Sequence, residues 1–330
     1  MSRHSNIALF VPHLGCSHRC SFCNQNAITG VLEQPTADDV KRAVQTAALS
    51  DKYSPQNTEI AFFGGSFTAI DRDYMLSLLD AAEPYVKGGA VKGIRISTRP
   101  DAIDEEILSL LSEKGVTAIE LGAQSMLDSV LIANGRGHSA EQVRISSRLI
   151  KEKGFSLGLQ MMTGLYKDND EGAKYTAEEI CELKPDTVRI YPAITLRGTY
   201  LATLYKTGKY SPQTLESAVN LCSELLNQFE KEGIKVIRLG LHSITEADYI
   251  AGPWHPAFRE LCESRLYLLT AKRQLKTSGD YTLLVRDSDI SKMVGQSRAN
   301  IEFLKEIGYN CNVKGDSSLL KYEVKIKERV

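Results

Sequence analysis

The sequence predicts an α/β protein built on a parallel sheet, either doubly wound or a barrel, and three observations carry that expectation. Six short runs rich in branched and aromatic residues recur along the first two thirds of the chain. Stretches with apolar residues at helical spacing lie between them, and polar, glycine-rich or cysteine-rich residues follow directly on each run. Strands alternating with helices in this way form βα units whose sheet is covered by helices.

The first run is IALFV (7–11), after which the chain enters CSHRCSFC (16–23), with Cys16, Cys20 and Cys23 close together. A helix begins at Thr36, an N-cap with Asp39 three residues on, and sets Val40, Ala43, Val44 and Ala47 on one face. EIAFF (59–63) runs into GGSF (64–67), GIRIST (93–98) into STRPD (97–101), and AIELG (118–122) into AQS (123–125). SLGLQMM (156–162) overlaps QMMTG (160–164), and TVRIY (187–191) ends on Tyr191 and Pro192. A further helix carries Leu215, Val219, Cys222, Leu225, Leu226 and Phe229 on its apolar stripe. Chemistry in a parallel βα sheet collects at the carboxyl ends of the strands, so the segments after the six runs are expected on one active rim. From Ser278 the order is a strand (YTLLV, 281–285), two short helices (288–295 and 298–308) and a strand (YEVKIK, 322–327). The expected division is residues 1–277 for the sheet with its helical extension and 278–330 for a small α+β appendix.

With 330 residues, 42% hydrophobic and 25% charged, the composition is that of a globular protein and excludes a disordered chain. The opening run MSRHSNIALFVPHLG is too short and too interrupted for a signal peptide or a spanning helix, so a cytoplasmic protein without membrane contact is expected. In that reducing compartment, tightly spaced cysteines favour metal binding or catalysis over disulfides. Cys181, Cys222, Cys262 and Cys311 are scattered singly and read as packing residues. Net charge is −1, but from Ala271 to Val330 there are 12 Lys and Arg against 8 Asp and Glu, a local excess of +4 that leaves −5 for the rest.

Three thiolates on one loop can bind three irons of a cubane 4Fe-4S cluster and leave the fourth iron open. Zinc asks for a fourth ligand, for which His13 and His18 are near enough; structural zinc sites, however, favour two cysteine pairs separated by a longer interval.

The spacing C-x3-C-x-Phe-C, seen as Cys16, Cys20, Phe22 and Cys23 after a first strand, resembles the signature of radical S-adenosylmethionine enzymes. The resemblance implies a partial (β/α)6 barrel of the radical SAM type, a cluster on the three cysteines, and an open iron that chelates the methionine end of S-adenosylmethionine. It also implies that Gly64, Gly65 and Ser66 meet the cofactor at the place where the family carries a GGE-like motif. Ser97, Gln124, Gln160 and Tyr191, at the ends of strands three to six, are implied as further cofactor contacts, and Arg136 as a bidentate partner for its carboxylate. The segments STRPD, AQSMLDSVLIANGRGHS (123–139), LQMMTGLY (159–166) and VRIYPAITLRGTYLATLYKTGKY (188–210) are similar to the radical domain of the catalytic subunit of Elongator, a tRNA-modifying enzyme. That similarity covers roughly residues 6–270. The Elongator subunit continues into an acetyltransferase domain; with the chain ending at Val330, acetyl-CoA chemistry is not expected here. GPWHPAFRELCESRLY (252–267) resembles small stand-alone bacterial members of the radical family instead.

The expected activity is reductive cleavage of S-adenosylmethionine to a 5′-deoxyadenosyl radical that acts on an RNA nucleoside, with tRNA as partner and a reductase or ferredoxin-like protein as electron donor. One alternative is a radical enzyme for a small molecule, as in the oxygen-independent coproporphyrinogen oxidase group. That group usually places another cysteine two positions after the third, where this chain has Asn24 and Gln25. The other alternative is a non-catalytic RNA-binding protein with a structural metal. The loop Gly295, Gln296, Ser297, Arg298 between the two appendix helices resembles the GXXG grip of KH modules, with its second glycine replaced by Arg298. His138 reads as a helix-start residue satisfied by backbone, Met161 and Met162 as core, and Trp254 with His255 as a rigid turn over the barrel mouth, substrate stacking being the sharper alternative.

Overall fold

The structure, a computed structural model, describes residues 4–11, 14, 16, 20–24, 33–241 and 244–329. Alternation of outward apolar and inward polar residues along each strand decides the architecture. Strands β1 (Ser5–Val11), β2 (Thr58–Gly64), β3 (Gly93–Thr98), β4 (Val116–Gln124), β5 (Ser156–Thr163), β6 (Thr187–Pro192) and, past a separate short strand β7 (Thr195–Leu196), β8 (Lys235–Leu239) form one sheet in that order. Each neighbouring pair is parallel. All six expected strands are present, and β8 is a seventh that the sequence reading lacked. Its run KVIRL carries charges at Lys235 and Arg238 because the strand closes the edge of the sheet, where charge is common and apolar content low.

The outward positions, among them Ile7, Leu9, Ile94, Ile96, Leu157 and Leu159, are buried in one continuous core under the helices. Helix α1 (Ala37–Ala48) starts at the expected capping box of Thr36 and Asp39 and buries Val40 and Val44. The sheet is further covered by α2 (Arg72–Lys87), α3 (Glu105–Glu113), α4 (Asp128–Ala133), α5 (Ala140–Glu152), α6 (Asp170–Leu183), α7 (Tyr200–Lys206) and α8 (Leu215–Lys231). Helix α8 buries the predicted Cys222, Leu225, Leu226 and Phe229. The inward positions, from Asn6, Ala8 and Phe10 at one edge through Arg95, Gln160 and Arg189 to Arg238 at the other, line a single cavity of about 1430 Å³. Both edge strands reach the same cavity, so the sheet curls into a partial barrel, with its open seam between β1 and β8.

A two-stranded ladder of β7 and β9 (Tyr249–Ala251) and the helix α9 (Phe258–Gln274) follow the barrel. The appendix consists of β10 (Gly279–Val285), α10 (Ile290–Val294), α11 (Ala299–Glu306), β11 (Tyr309–Gly315) and β12 (Lys325–Glu328). β10 is central, parallel to β11 and antiparallel to β12. The sequence reading missed β11, whose YNCNVKG is too rich in asparagine and glycine to read as a strand, and began the last strand at Tyr322, three residues before its observed start at Lys325. Helix α9 serves both cores: Phe258, Cys262 and Leu266 pack with the barrel, while Tyr267, Leu268 and Ala271 pack with Leu283, Val285, Met293 and Leu304. In the loop between α10 and α11, Gly295 has a φ of +82°, and a Cβ there would stand 2.9 Å from the amide of Asn300. Arg298 takes φ +66°, the left-handed conformation a glycine would adopt freely. Among the described residues no helix is long and apolar enough to cross a membrane.

Candidate active site

The first cysteine leaves the end of β1 on a segment seated by the glycines after β2. Gly65 donates its amide to the Val11 carbonyl at 2.7 Å, and Ser66 donates to the Leu14 carbonyl at 3.1 Å. A Cβ on Gly65 would stand 2.2 Å from the Leu14 carbonyl oxygen, so no other residue fits without displacing the cysteine segment. The close approach expected of these glycines toward a ligand is therefore made first toward their own neighbour strand, although Gly64, Gly65 and Ser66 also face the cavity. Ser66 is buried, with its Oγ 3.8 Å from Cys16 Sγ.

Cys20 and Cys23 are joined by a turn in which the Cys23 amide donates to the Cys20 carbonyl at 3.1 Å. Three later parts of the chain hold that turn. Ser21 donates its amide to the Asn134 carbonyl at 3.0 Å and its hydroxyl to Asn134 Oδ1 at 2.6 Å. Asn134, fully buried, donates to the carbonyls of Val130 and Tyr166, and Leu201 donates its amide to the Ser21 carbonyl at 2.7 Å. Asn24 donates to the Arg197 carbonyl at 2.9 Å. Phe22 packs against the cluster of Val130, Met162 and Leu165 and against that of Leu201, Leu204 and Tyr210, so the motif's aromatic residue anchors the loop as well as bordering the cavity. Arg136 donates through Nη1 to Cys20 Sγ at 3.1 Å and through Nη2 to the Gly122 carbonyl at 2.5 Å. Its cation therefore stands beside one of the three sulfurs.

All twelve residues singled out from the sequence border the one cavity: Cys16, Cys20, Phe22, Cys23, Gly64, Gly65, Ser66, Ser97, Gln124, Arg136, Gln160 and Tyr191. They come from strands or loops separated by up to 175 positions (191 − 16). Their states differ. Ser97 Oγ, Gln124 Oε1 and Arg136 Nε are buried without a protein partner, whereas Gln160 Nε2 already donates to Glu120 at 3.0 Å. Gln124 sits at a register shift between β4 and β5 with φ +66°, a left-handed conformation costly for a side-chain-bearing residue and commonest at ligand sites. Burial pushes the Tyr191 phenol up in pKa.

Below the rim runs a buried charge network that the sequence reading did not single out. Arg95 donates through Nε to Glu59 at 2.8 Å and lies 3.4 Å from Glu120 through Nη1. Glu120, 1% exposed, also accepts from Arg189 Nη2 at 2.7 Å. The signal was present: GIRIST, AIELG and TVRIY each carry one charged residue within a largely apolar run, as expected when the second face of a strand lines a polar lumen.

His138 stands apart from the cavity wall. Its Nε2 contacts the Ala123 carbonyl at 3.2 Å, and burial, aided by the Arg136 charge, pushes its pKa down to about 4, so the ring is neutral near pH 7. Met161 is buried in the core while Met162 faces the cavity. Trp254 packs on Ile194, Leu196 and Ile244, and Pro256, two residues on, reaches the cavity wall. The remaining cysteines are free thiols, with Cys222, Cys262 and Cys311 buried. Among the described residues no three His, Cys, Asp or Glu side chains converge on a single metal-ion position. A cubane does not ask for that, since each of its thiolates meets a different iron. His13 and His18, the candidate zinc ligands, lie outside the described residues.

Comparison with known proteins gives the following. The profile of the Radical SAM superfamily matches residues 10–180, and that of the Radical SAM C-terminal domain matches residues 185–267. Elongator complex protein 3 of Homo sapiens is 31% identical over 196 residues, which is 53% of this chain and 36% of that protein. The tRNA uridine(34) acetyltransferase of Methanocaldococcus jannaschii is 29% identical over 185 residues, 50% of this chain and 34% of that protein. The chain thus spans about a third of the length of these curated relatives. Among solved structures, the archaeal Methanocaldococcus infernus Elp3 superposes with a TM-score of 0.66 at 21% identity, over 85% of this chain and 66% of that one, a likeness of fold.

Proposed function

The chain belongs to the Radical SAM superfamily, and on that premise we propose that its cavity holds a 4Fe-4S cluster on Cys16, Cys20 and Cys23 with S-adenosylmethionine beside it, and acts on a nucleoside of RNA, tRNA being the substrate class. The observation that carries this reading is the convergence of the three cysteines and the nine predicted cofactor residues on one cavity wall.

The residues present fit both groups. Three cysteines outside any disulfide border the cavity, and the orphaned buried atoms of Ser97, Gln124 and Arg136 are polar groups that a ligand with amino, carboxylate and ribose functions would satisfy. When bound, the pair supplies a 5′-deoxyadenosyl radical by one-electron cleavage of the sulfonium. The chain's own share is positioning and shielding. Asn134, Leu201 and Gly65 fix the cysteine loop through backbone bonds. Arg136 places a cation where a cluster sulfur carries negative charge, and its free Nε is available to an anionic ligand. Phe22, Met162 and Tyr191 form an apolar patch on the wall that limits water.

RNA as substrate is supported by a relative named as a tRNA uridine(34) acetyltransferase and by the +4 excess of the last sixty residues. The same reading includes a cytoplasmic setting, in keeping with seven cysteines outside any disulfide, and a reductase or ferredoxin-like donor for the electron. The test is to incubate anaerobically reconstituted protein with bulk tRNA, S-adenosylmethionine and reductant, and to survey the digested nucleosides by mass spectrometry. A new nucleoside mass that depends on the cofactor is expected. Unchanged tRNA alongside continuing cofactor cleavage would remove RNA from the reading.

A further inference from the structure

Most cations on the cavity wall have a carboxylate partner or stand in solvent. Arg95 and Arg189 are paired with Glu59 and Glu120, Arg99 with Asp101, and Arg259 and Lys292 with Glu263. Lys92 and Lys235 are exposed and solvated. Two arginines have no carboxylate within ion-pair distance among the described residues. One is Arg136, beside Cys20. The other is Arg238 on the edge strand β8, whose Nε donates to the Gly240 carbonyl at 2.9 Å and which borders the cavity in register with the inward Arg189.

Its surroundings make the missing counter-ion costly. Arg238 is half-buried and stands in register beside Arg189 of β6, at the seam of the partial barrel, with Arg259 and Lys292 also on the wall there. Burial first, and then the like charges of Arg189 and Arg259, push its pKa down, while Tyr191 acts the other way. A cation held in this position among other cations is destabilised in the absence of an anion and stabilised by one. Edge protection, which inward-pointing charges also serve, accounts for a charge on β8 but leaves this one without a counter-ion.

Resting on the radical reading with RNA as substrate, we propose that Arg238 is the phosphate-binding residue of the substrate subsite, taking a backbone phosphate of the nucleotide that enters through the seam between β1 and β8. The cofactor brings one carboxylate, for which Arg136 lies beside the cysteines; the second unpaired guanidinium calls for an anion on the substrate. A planar guanidinium with its outer edge unused suits a phosphate oxygen pair.

The test compares uridine 3′-monophosphate, uridine and inorganic phosphate as probes, titrated by calorimetry into anaerobically reconstituted protein saturated with S-adenosylmethionine. The monophosphate is expected to bind wild type at least about tenfold more tightly than uridine, and Arg238→Gln to erase that difference, the loss expected for one charge-assisted hydrogen-bond pair. Cofactor affinity should not change, which also reports that the variant is folded, and Arg238→Lys should recover part of the gain. An Arg238→Gln protein that retains the full preference for the monophosphate over uridine overturns the inference, whatever its action on tRNA. Phosphate binding that depends on Arg238 while the uridine moiety adds no affinity supports the anion subsite and counts against RNA, so the two failures are told apart.

Discussion

Single replacement of Cys16, Cys20 or Cys23 by alanine abolishes cluster assembly and every trace of S-adenosylmethionine cleavage, while the iron-free variant unfolds within about 1 kcal/mol of wild type. The three thiols are half-exposed on the cavity wall and absent from the buried core, so removing one deletes a ligand and little packing. The turn between Cys20 and Cys23 is held by backbone bonds to Asn134 and Leu201, which alanine leaves intact. Iron and sulfide content with electron paramagnetic resonance checks the first part, and denaturant unfolding of the metal-free proteins checks the second. Collapse of the fold in the alanine variants would mark the cysteines as a structural site, since a metal that organises the chain carries folding energy.

The second large effect falls on stability. Glu120 on β4 is buried between Arg95, Arg189 and Gln160, and it is the group through which the charges of β3 and β6 meet. Glu120→Ala leaves Arg189 buried without a counter-ion and is expected to cost about 3–5 kcal/mol in unfolding free energy. Glu120→Gln keeps the shape and one acceptor and is expected to cost less. A loss below about 1 kcal/mol for the alanine variant, read from urea denaturation, would mean that water or Glu59 replaces the lost charge. The double variant with Arg189→Met should recover much of the loss, because it removes the stranded cation.

The cysteine motif and the six strands were legible because both are local: one is a spacing within eight residues, the other a run of apolar residues of fixed length. The post-strand segments were legible for the same reason, and a parallel sheet then brings them to one rim without further information. What the sequence hid is long-range pairing. Arg95 meets Glu120 across 25 positions and Arg189 meets Glu120 across 69, contacts that exist only once strand order is known. Ser21 and Asn134, which lock the cysteine turn across 113 positions, are hidden in the same way. β8 and β11 escaped because an edge strand with Lys235 and Arg238, and a strand with two asparagines, lack the apolar content that marks a buried strand. The glycines of GGSF were legible as a close approach, but its target, the carbonyls of Val11 and Leu14, is set by the pairing of β1 with β2.

The measurement that tests the central claim most directly is 5′-deoxyadenosine formed by the wild-type protein, reconstituted anaerobically with iron and sulfide and given reductant and S-adenosylmethionine. The account predicts formation that requires the cluster, the reductant and all three cysteines. Intact, cluster-bearing, reduced protein that binds S-adenosylmethionine and leaves it uncleaved would contradict it.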